Sequence, residues 1–312
     1  DSSFSKKNKI KIGEMVRVSG FNLKANYTDN TRIKELLMNR IFMSIWEDRV
    51  NLHSYPWEAE EIPCSGATGM IKGFPIRVNI GGNFYGIDVF GLKKDEKNYL
   101  LDGDTSGMIV SGTRGNTNDP NNWTAEDEMN DELTESNKQA LTDFFSFINS
   151  ENFTKENVPQ RMSVIDWIDY FIGLQVFLMR DNTCRNMILY AKEDKKKLYP
   201  FFYDLDLSWF FYDNNYNLDI MTSSYAVDMS LWENFKSLYE DEIRNRYAYL
   251  RENILSIETI QAMYEDIAKD IPLVDIALEK EKWGQGNVNS MNTYISVLKK
   301  RLNWLDKEYF KI

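Results

Sequence analysis

The sequence is poor in the residues that staple small folds or bind soft metals. It has two cysteines, Cys64 and Cys184, and one histidine, His53. Two thiols cannot build a disulfide framework, and with one imidazole they are too few for a structural zinc site. Both read as small apolar fillers. Proline is also scarce, at 7 of 312 residues, and with abundant aromatics this excludes a disordered chain. No uninterrupted apolar run approaches the roughly 20 residues needed to cross a bilayer. Positive charge is in deficit: 37 basic residues face 48 acidic ones, a formal net charge of −11. That is a poor footprint for nucleic acid and no attraction for an anionic membrane. A local basic pocket for phosphate remains compatible with it, because net charge sets the bulk field and not the content of one cleft. The chain starts Asp1-Ser2-Ser3 without an initiator Met and reads as a processed or trimmed product. Its compartment stays open, secretion or envelope association after signal removal being one expectation.

What is present is apolar bulk. Hydrophobic residues make up 43% of the chain and aromatic ones 14%, enough for a substantial core in one large domain or two lobes around a cleft. Lys6, Lys7, Lys9 and Lys11 alternate with Asn8, Ile10 and Ile12, a period-two pattern that predicts a half-buried strand. A short run ending Phe21-Asn22-Leu23-Lys24 follows. Asp29 and Asn30 suit a helix cap, and Ile33, Leu37, Ile41 and Ile45 fall four apart. Together they predict a helix over Thr31 to Asp48. Two β-rich runs, Phe74–Ile80 and Phe84–Phe90, flank Gly81-Gly82-Asn83 and form the clearest hairpin. From Asp102 to Asp131 the composition turns to Gly, Asn, Thr and Asp and reads as a long insertion or mobile loop.

The second half is mostly helical. Leu141, Phe144, Phe145 and Ile148 form one stripe, and Met162 to Met179 is apolar on nearly every side, the mark of a buried central helix. Met187–Tyr190 and Leu198–Tyr203 read as short strands. Helices are expected over Leu231–Leu250, Ile257–Lys269 and Met291–Tyr309. The fold class is therefore α+β, strands first and helices after.

The chemistry-bearing stretch is Arg180-Asp181-Asn182-Thr183-Cys184-Arg185-Asn186, followed by Tyr203-Asp204-Leu205-Asp206. An Asp and an Asn five apart just after a buried helix match a kinase catalytic loop, where the Asp orients the attacking hydroxyl and the Asn holds a metal. Asp204 and Asp206, two apart on a strand, would share a face and offer oxygen ligands to a hard cation such as Mg²⁺. The plainer reading, backbone capping by Asp and Asn, stays open beside this one. Phosphate needs a cation, and Ser2, Ser3, Lys6, Lys7 and Lys24 are candidates. Lys93 and Lys94 read as solvent-side charges. Glu35, early in the first helix, can pair with a strand lysine or simply favour a first helical turn.

These residues carry a resemblance. Ser2-Ser3-Phe4-Ser5-Lys6-Lys7-Asn8 is similar to the end of a Gly-x-Ser-Ser-x-x-x-Pro-Lys-Lys segment, and Phe21–Ile33 to a Leu-Lys-Ala-Asn-x-x-Asp-x-Thr-x-x-Arg block. Gly73–Ile76 leading to Gly82-Asn83-Phe84-Tyr85-Gly86 resembles an Asn-Gly-x-Tyr-x-Gly hairpin. Phe202–Trp209 resembles a Trp/Tyr-Asp-Leu-Asp-x-Ser/Thr motif. In this order they resemble the motifs of the CotH kinase family, atypical protein kinases of bacteria, phages and some eukaryotes. Where that family often reads Tyr-x-x-x-Glu after the hairpin, this chain has Asp88-Val89-Phe90-Gly91-Leu92-Lys93.

The resemblance implies a bilobal kinase-like fold in a single domain over 1–312, with an N-terminal lobe to about 100, an inserted loop over 102–131 and a helical lobe from 132. It implies ATP and Mg²⁺ or Mn²⁺ as cofactors and transfer to Ser/Thr hydroxyls of a protein. Asp181 would be catalytic, and Asn186 and Asp204 would be metal ligands with Asp206 in support. Ser2, Ser3, Lys6, Lys7, Lys24 and Glu35 would lie on the nucleotide side. The family's founding members phosphorylate spore-coat proteins, so a coat or cell-surface setting is one expectation for the partner. The alternative is a catalytically silent scaffold that binds protein or carbohydrate, with the aromatic segment Trp209-Phe210-Phe211-Tyr212 as its surface.

Overall fold

The computed structural model describes residues 8–26, 29, 31–51, 69–94, 98, 107–113, 119–125, 133–192, 194–209, 230–283 and 291–312. Strand β1 (Phe21–Lys24) leads to helix α1 (Lys34–Asn51), and strands β2 (Gly73–Ile80) and β3 (Asn83–Leu92) form the expected hairpin. Gly81 and Gly82 turn it with φ of 59° and 80°, which glycine adopts without steric cost. β3 is central, with β1 and β2 antiparallel on either side. β1 and most of β2 are only partly covered.

Helix α1 starts where the sequence signals it. The Asp29 carboxylate accepts the Lys34 backbone N–H at 2.7 Å and that of Thr31 at 2.9 Å, satisfying donors that a helix start leaves open. Ile33, Leu37, Ile41 and Ile45 are buried, and the helix packs between α5 (Ile257–Ala268) and a one-turn helix at Leu205–Leu207.

A second antiparallel sheet runs in the order β5 (Trp123–Ala125), β4 (Met108–Gly112), β6 (Met187–Ala191), β7 (Tyr199–Phe202). Here the sequence reading needs correction. The 102–131 segment is not only a loop, because it contributes β4 and β5. β4 is buried along its whole length, and its Met, Ile and Val are too short a run to stand out among the flanking turn residues. The strand expected over Lys6–Ile12 is also absent among the described residues, where one bridge links Ile10 to Val18.

Helices α2 (Glu135–Ile148), α3 (Val164–Phe177), α4 (Ser230–Asn253), α5, α6 (Leu273–Trp283) and α7 (Met291–Trp304) complete the described fold. Every residue of α3 is buried, as its all-round apolarity predicts. Its two carboxylates are paired: Asp166 with Arg49, and Asp169 with Arg49 at 3.3 Å and with Arg246 at 2.8 Å. Buried charge is tolerable only with such partners.

Helix α6 escaped the sequence reading for a physical reason. Its apolar residues Leu273, Val274 and Ile276 are exposed, and its buried positions are Asp275 and Glu279. Those two acids, four apart, grip the first sheet. Asp275 pairs with Arg77 of β2, while Glu279 pairs with Arg32 at 2.9 Å and accepts the Ile87 backbone N–H at 2.8 Å.

Candidate active site

The site forms where β1, α1 and the loops at the ends of β6 and β7 meet. Lys24, the last residue of β1, extends its ammonium to Glu35 on the first turn of α1, at 3.0 Å, and to Asp204 after β7. On the other side of Asp204, Asn186 Nδ2 lies 3.4 Å from Asp204 Oδ2. A strand cation, a helix carboxylate, a loop carboxylate and a loop amide, from four parts of the chain, therefore make one chain of contacts.

Charge follows from this geometry. Burial disfavours the Lys24 ammonium, but the charges of Glu35 and Asp204 and their hydrogen bonds outweigh it, holding its pKa above the ordinary lysine value. Burial pushes Glu35 the other way for an acid, up from the usual carboxylate range, and Lys24 opposes that shift. The pair is thus mutually supporting.

The loops are held by backbone that few residues adopt. Among the described residues, six of the eight non-glycine positions with positive φ lie around this site: Asn26, Arg32, Leu178, Asn186, Asp204 and Trp209. Such strain persists only where surrounding contacts impose it. Asn26 and Arg32 lock the β1–α1 connection reciprocally, the Asn26 amide donating to the Arg32 carbonyl at 3.1 Å and Arg32 to the Asn26 carbonyl at 3.0 Å. β4 holds the other loop, because the Gly112 carbonyl accepts the Asn186 N–H at 3.2 Å. A Cβ at Gly112 would sit 2.0 Å from the Cys184 carbonyl oxygen, so only glycine permits this approach.

Asp204 and Asp206 are not the strand pair that their spacing predicts. Asp204 has left-handed backbone and Leu205–Leu207 is a helical turn, so Asp204 and Asp206 do not share a strand face. Asp204 turns to Lys24, while Asp206 acts electrostatically on Lys34 and Glu35. Asp181 sits in the short helix Arg180–Thr183, with its side chain 20% exposed and 3.6 Å from Arg185. Lys94, read as a solvent-side charge, lies 4.5 Å from the ring centre of Tyr203. Ser2, Ser3, Lys6 and Lys7 lie outside the described residues, as do Phe210, Phe211 and Tyr212. Trp209 of that aromatic segment is fully buried, with its indole N–H on the Met38 sulfur, so it belongs to the core.

One residue the sequence reading passed over joins the loops. Asn182 is buried, and its amide donates to the carbonyls of Tyr203 at 2.8 Å and Asn186 at 3.3 Å. Tyr170 of α3 donates to the Asn182 carbonyl at 2.7 Å. The only signal in the sequence was its place beside Asp181.

The Asn186 amide and the Asp204 carboxylate lie side by side, the amide presenting its nitrogen to the carboxylate, and Asp206 is on the same short segment. Among the described residues no group of three His, Cys, Asp or Glu side chains is arranged to hold a metal. Carboxylate and amide side chains are the ligand chemistry that Mg²⁺ takes in small number beside water and phosphate oxygens.

The α+β scaffold is kinase-like, with a strand lysine and a helix glutamate paired beside carboxylate-bearing loops. The family described as CotH kinase protein matches residues 78–307, and the chain belongs to that family. The match takes in Asp181, Asn186, Asp204 and Asp206, whereas Lys24 and Glu35 precede it. No curated protein matches the chain.

Proposed function

We propose that the chain is an atypical protein kinase that transfers the γ-phosphoryl group of ATP to a Ser or Thr hydroxyl of a protein, in a metal-dependent reaction. The observation that carries this reading is the convergence of Lys24, Glu35 and Asp204. It joins a cation suited to phosphate, its orienting partner and a metal-competent carboxylate in one place. The family's usual Glu after the hairpin is missing here, but Lys24 has its carboxylate partner on α1 instead.

In the proposed reaction the acceptor oxygen attacks the γ-phosphorus. One O–P bond forms, the bond to the β–γ bridging oxygen breaks, and ADP leaves with that electron pair. The acceptor proton passes to the Asp181 carboxylate. Lys24 holds phosphate oxygens, and Glu35 keeps its ammonium aimed. Asn186 and Asp204 would hold the cation, with Asp206 in support. When bound, that cation neutralises charge on the phosphate oxygens. Most of the rate comes from positioning and charge, since little covalent work falls to the protein. Ser2, Ser3, Lys6 and Lys7 complete the phosphate side in this reading. The part to about residue 100 and the helical part from 132 then act as two lobes of one domain spanning 1–312.

The test is transfer of labelled γ-phosphate with Mg²⁺ or Mn²⁺, to the chain itself or a generic protein acceptor. Label incorporated by the wild type and lost in both Asp181→Ala and Asp204→Ala supports the reading. No transfer, with no metal-dependent nucleotide binding by calorimetry, removes it in favour of a silent scaffold.

A further inference from the structure

Lys34, next to Glu35 at the start of α1, is buried at 2% exposure, and the chemistry proposed above gives it no part. A buried ammonium is costly unless paired and hydrogen-bonded. Its Nζ donates to the Ser208 backbone carbonyl at 3.2 Å and lies 5.6 Å from the ring centre of Tyr294 on α7. Burial lowers its pKa, and the charges of Asp29, Asp206 and Glu35 oppose that shift, while Lys24 adds to it. The groups around it thus come from the α1 cap, the Asp204–Ser208 segment, β1 and α7.

Its position on the helix is informative. Lys34, Met38 and Phe42 follow one another at four-residue spacing and form a single stripe. Phe42 stacks on Phe202 with ring centres 4.1 Å apart, Met38 receives the Trp209 indole N–H, and Lys34 holds Ser208. That stripe therefore docks the whole stretch from 202 to 209 onto α1. Two of its contacts are between uncharged groups, a ring stack and an N–H on a thioether sulfur. The third is a buried charge, placed at the end of the stretch that carries Asp204 and Asp206. A hydrophobic side chain would fill that volume without the desolvation penalty, so stability alone is a poor reason for a lysine there.

We propose that Lys34 is a positioning residue for the metal-side segment. Its ammonium holds the turn Asp204–Ser208, through the Ser208 carbonyl and the charge of Asp206, so that Asp204 stays directed at Lys24 and Asn186. This rests on the kinase reading and adds to it. The same first turn of α1 then sets both halves of the site, Glu35 orienting the phosphate-side lysine and Lys34 the metal-side carboxylates.

The test is calorimetric titration of ADP and a non-hydrolysable ATP analogue over a Mg²⁺ series, with thermal melts alongside. Lys34→Met is expected to weaken Mg²⁺-dependent nucleotide binding about tenfold or more, the range for residues that orient metal ligands. Lys34→Arg, which keeps the charge, recovers part of it. Phe42→Leu, on the same stripe, lowers the melting temperature and leaves the Mg²⁺ dependence unchanged. A folded Lys34→Met protein with wild-type Mg²⁺ dependence overturns the inference. If Lys34→Met does not fold, Asp206→Asn and its combination with Lys34→Arg decide. Non-additive losses support the coupling, and additive ones overturn it. A wild type that binds no nucleotide with Mg²⁺ ends the kinase reading itself, and this inference with it, an outcome distinct from a variant-specific failure.

Discussion

The two sheets of this protein are built to opposite specifications. β4, β6 and β7 are buried along their full length, β7 packs on α3, and they carry the loops with Asn186 and Asp204. The β1–β3–β2 sheet leaves Leu23 and Ile80 each 59% exposed and is tied down by α1 at one edge and by the two acids of α6. The first sheet contributes one cation to the site, the second its oxygen donors. The difference teaches that the Asn186–Asp204 side of the site is fixed by the core, while the Lys24 side depends on a few ionic and hydrogen-bonded grips.

The comparison can be broken most forcefully in the buried sheet. Leu189, fully buried in β6, should cost about 2–5 kcal/mol as Ala, measured by urea unfolding, with loss of nucleotide binding. A smaller effect is expected where α6 grips the hairpin. Glu279→Gln should cost about 1–3 kcal/mol, seen in hydrogen exchange as faster exchange at the Ile87 amide while β6 amides stay protected. Uniform loss of protection in both sheets would contradict the division between them.

The Lys24 pairing gives a pH-dependent prediction. Its folded pKa lies above the ordinary value of 10.5, so its stabilisation is fully present below pH 10.5 and disappears as pH rises through the higher folded value. The stability gap between wild type and Lys24→Met should therefore hold steady on the alkaline side of neutrality and close only above pH 10.5. A gap that closes earlier would mean that Glu35 and Asp204 do not sustain the charge. The smallest effect belongs to the exposed hairpin: Ile80→Thr should change stability by less than about 0.5 kcal/mol.

Much of this was legible in the sequence because periodicity and apolar runs report burial directly. Ile33, Leu37, Ile41 and Ile45 announced α1, the all-round apolarity of 162–179 announced α3, and the paired glycines announced the hairpin. The loops bearing Asp181, Asn186 and Asp204 were legible as spacing. Elements whose sequence lacks a long apolar pattern were not. β4 and β5 lie among turn-forming residues, and α6 buries acids instead of apolar side chains. The expectation that Asp204 and Asp206 share a face rested on strand periodicity, which the left-handed backbone at Asp204 interrupts. Lys34 reaches the Ser208 carbonyl and Asn182 that of Tyr203, both distant in sequence, and no local pattern marks them.

The most direct test of the central claim, that the two sheets supply one site, is a double-mutant cycle. Mg²⁺-dependent nucleotide affinity would be measured for wild type, Lys24→Met, Asp204→Asn and the pair together. Each single change should weaken binding by about tenfold or more, and the double variant should be little worse than the weaker single one, as residues acting as a unit behave. Losses that simply add, or a single variant that binds like wild type, would mean that Lys24 and Asp204 do not serve the same bound nucleotide.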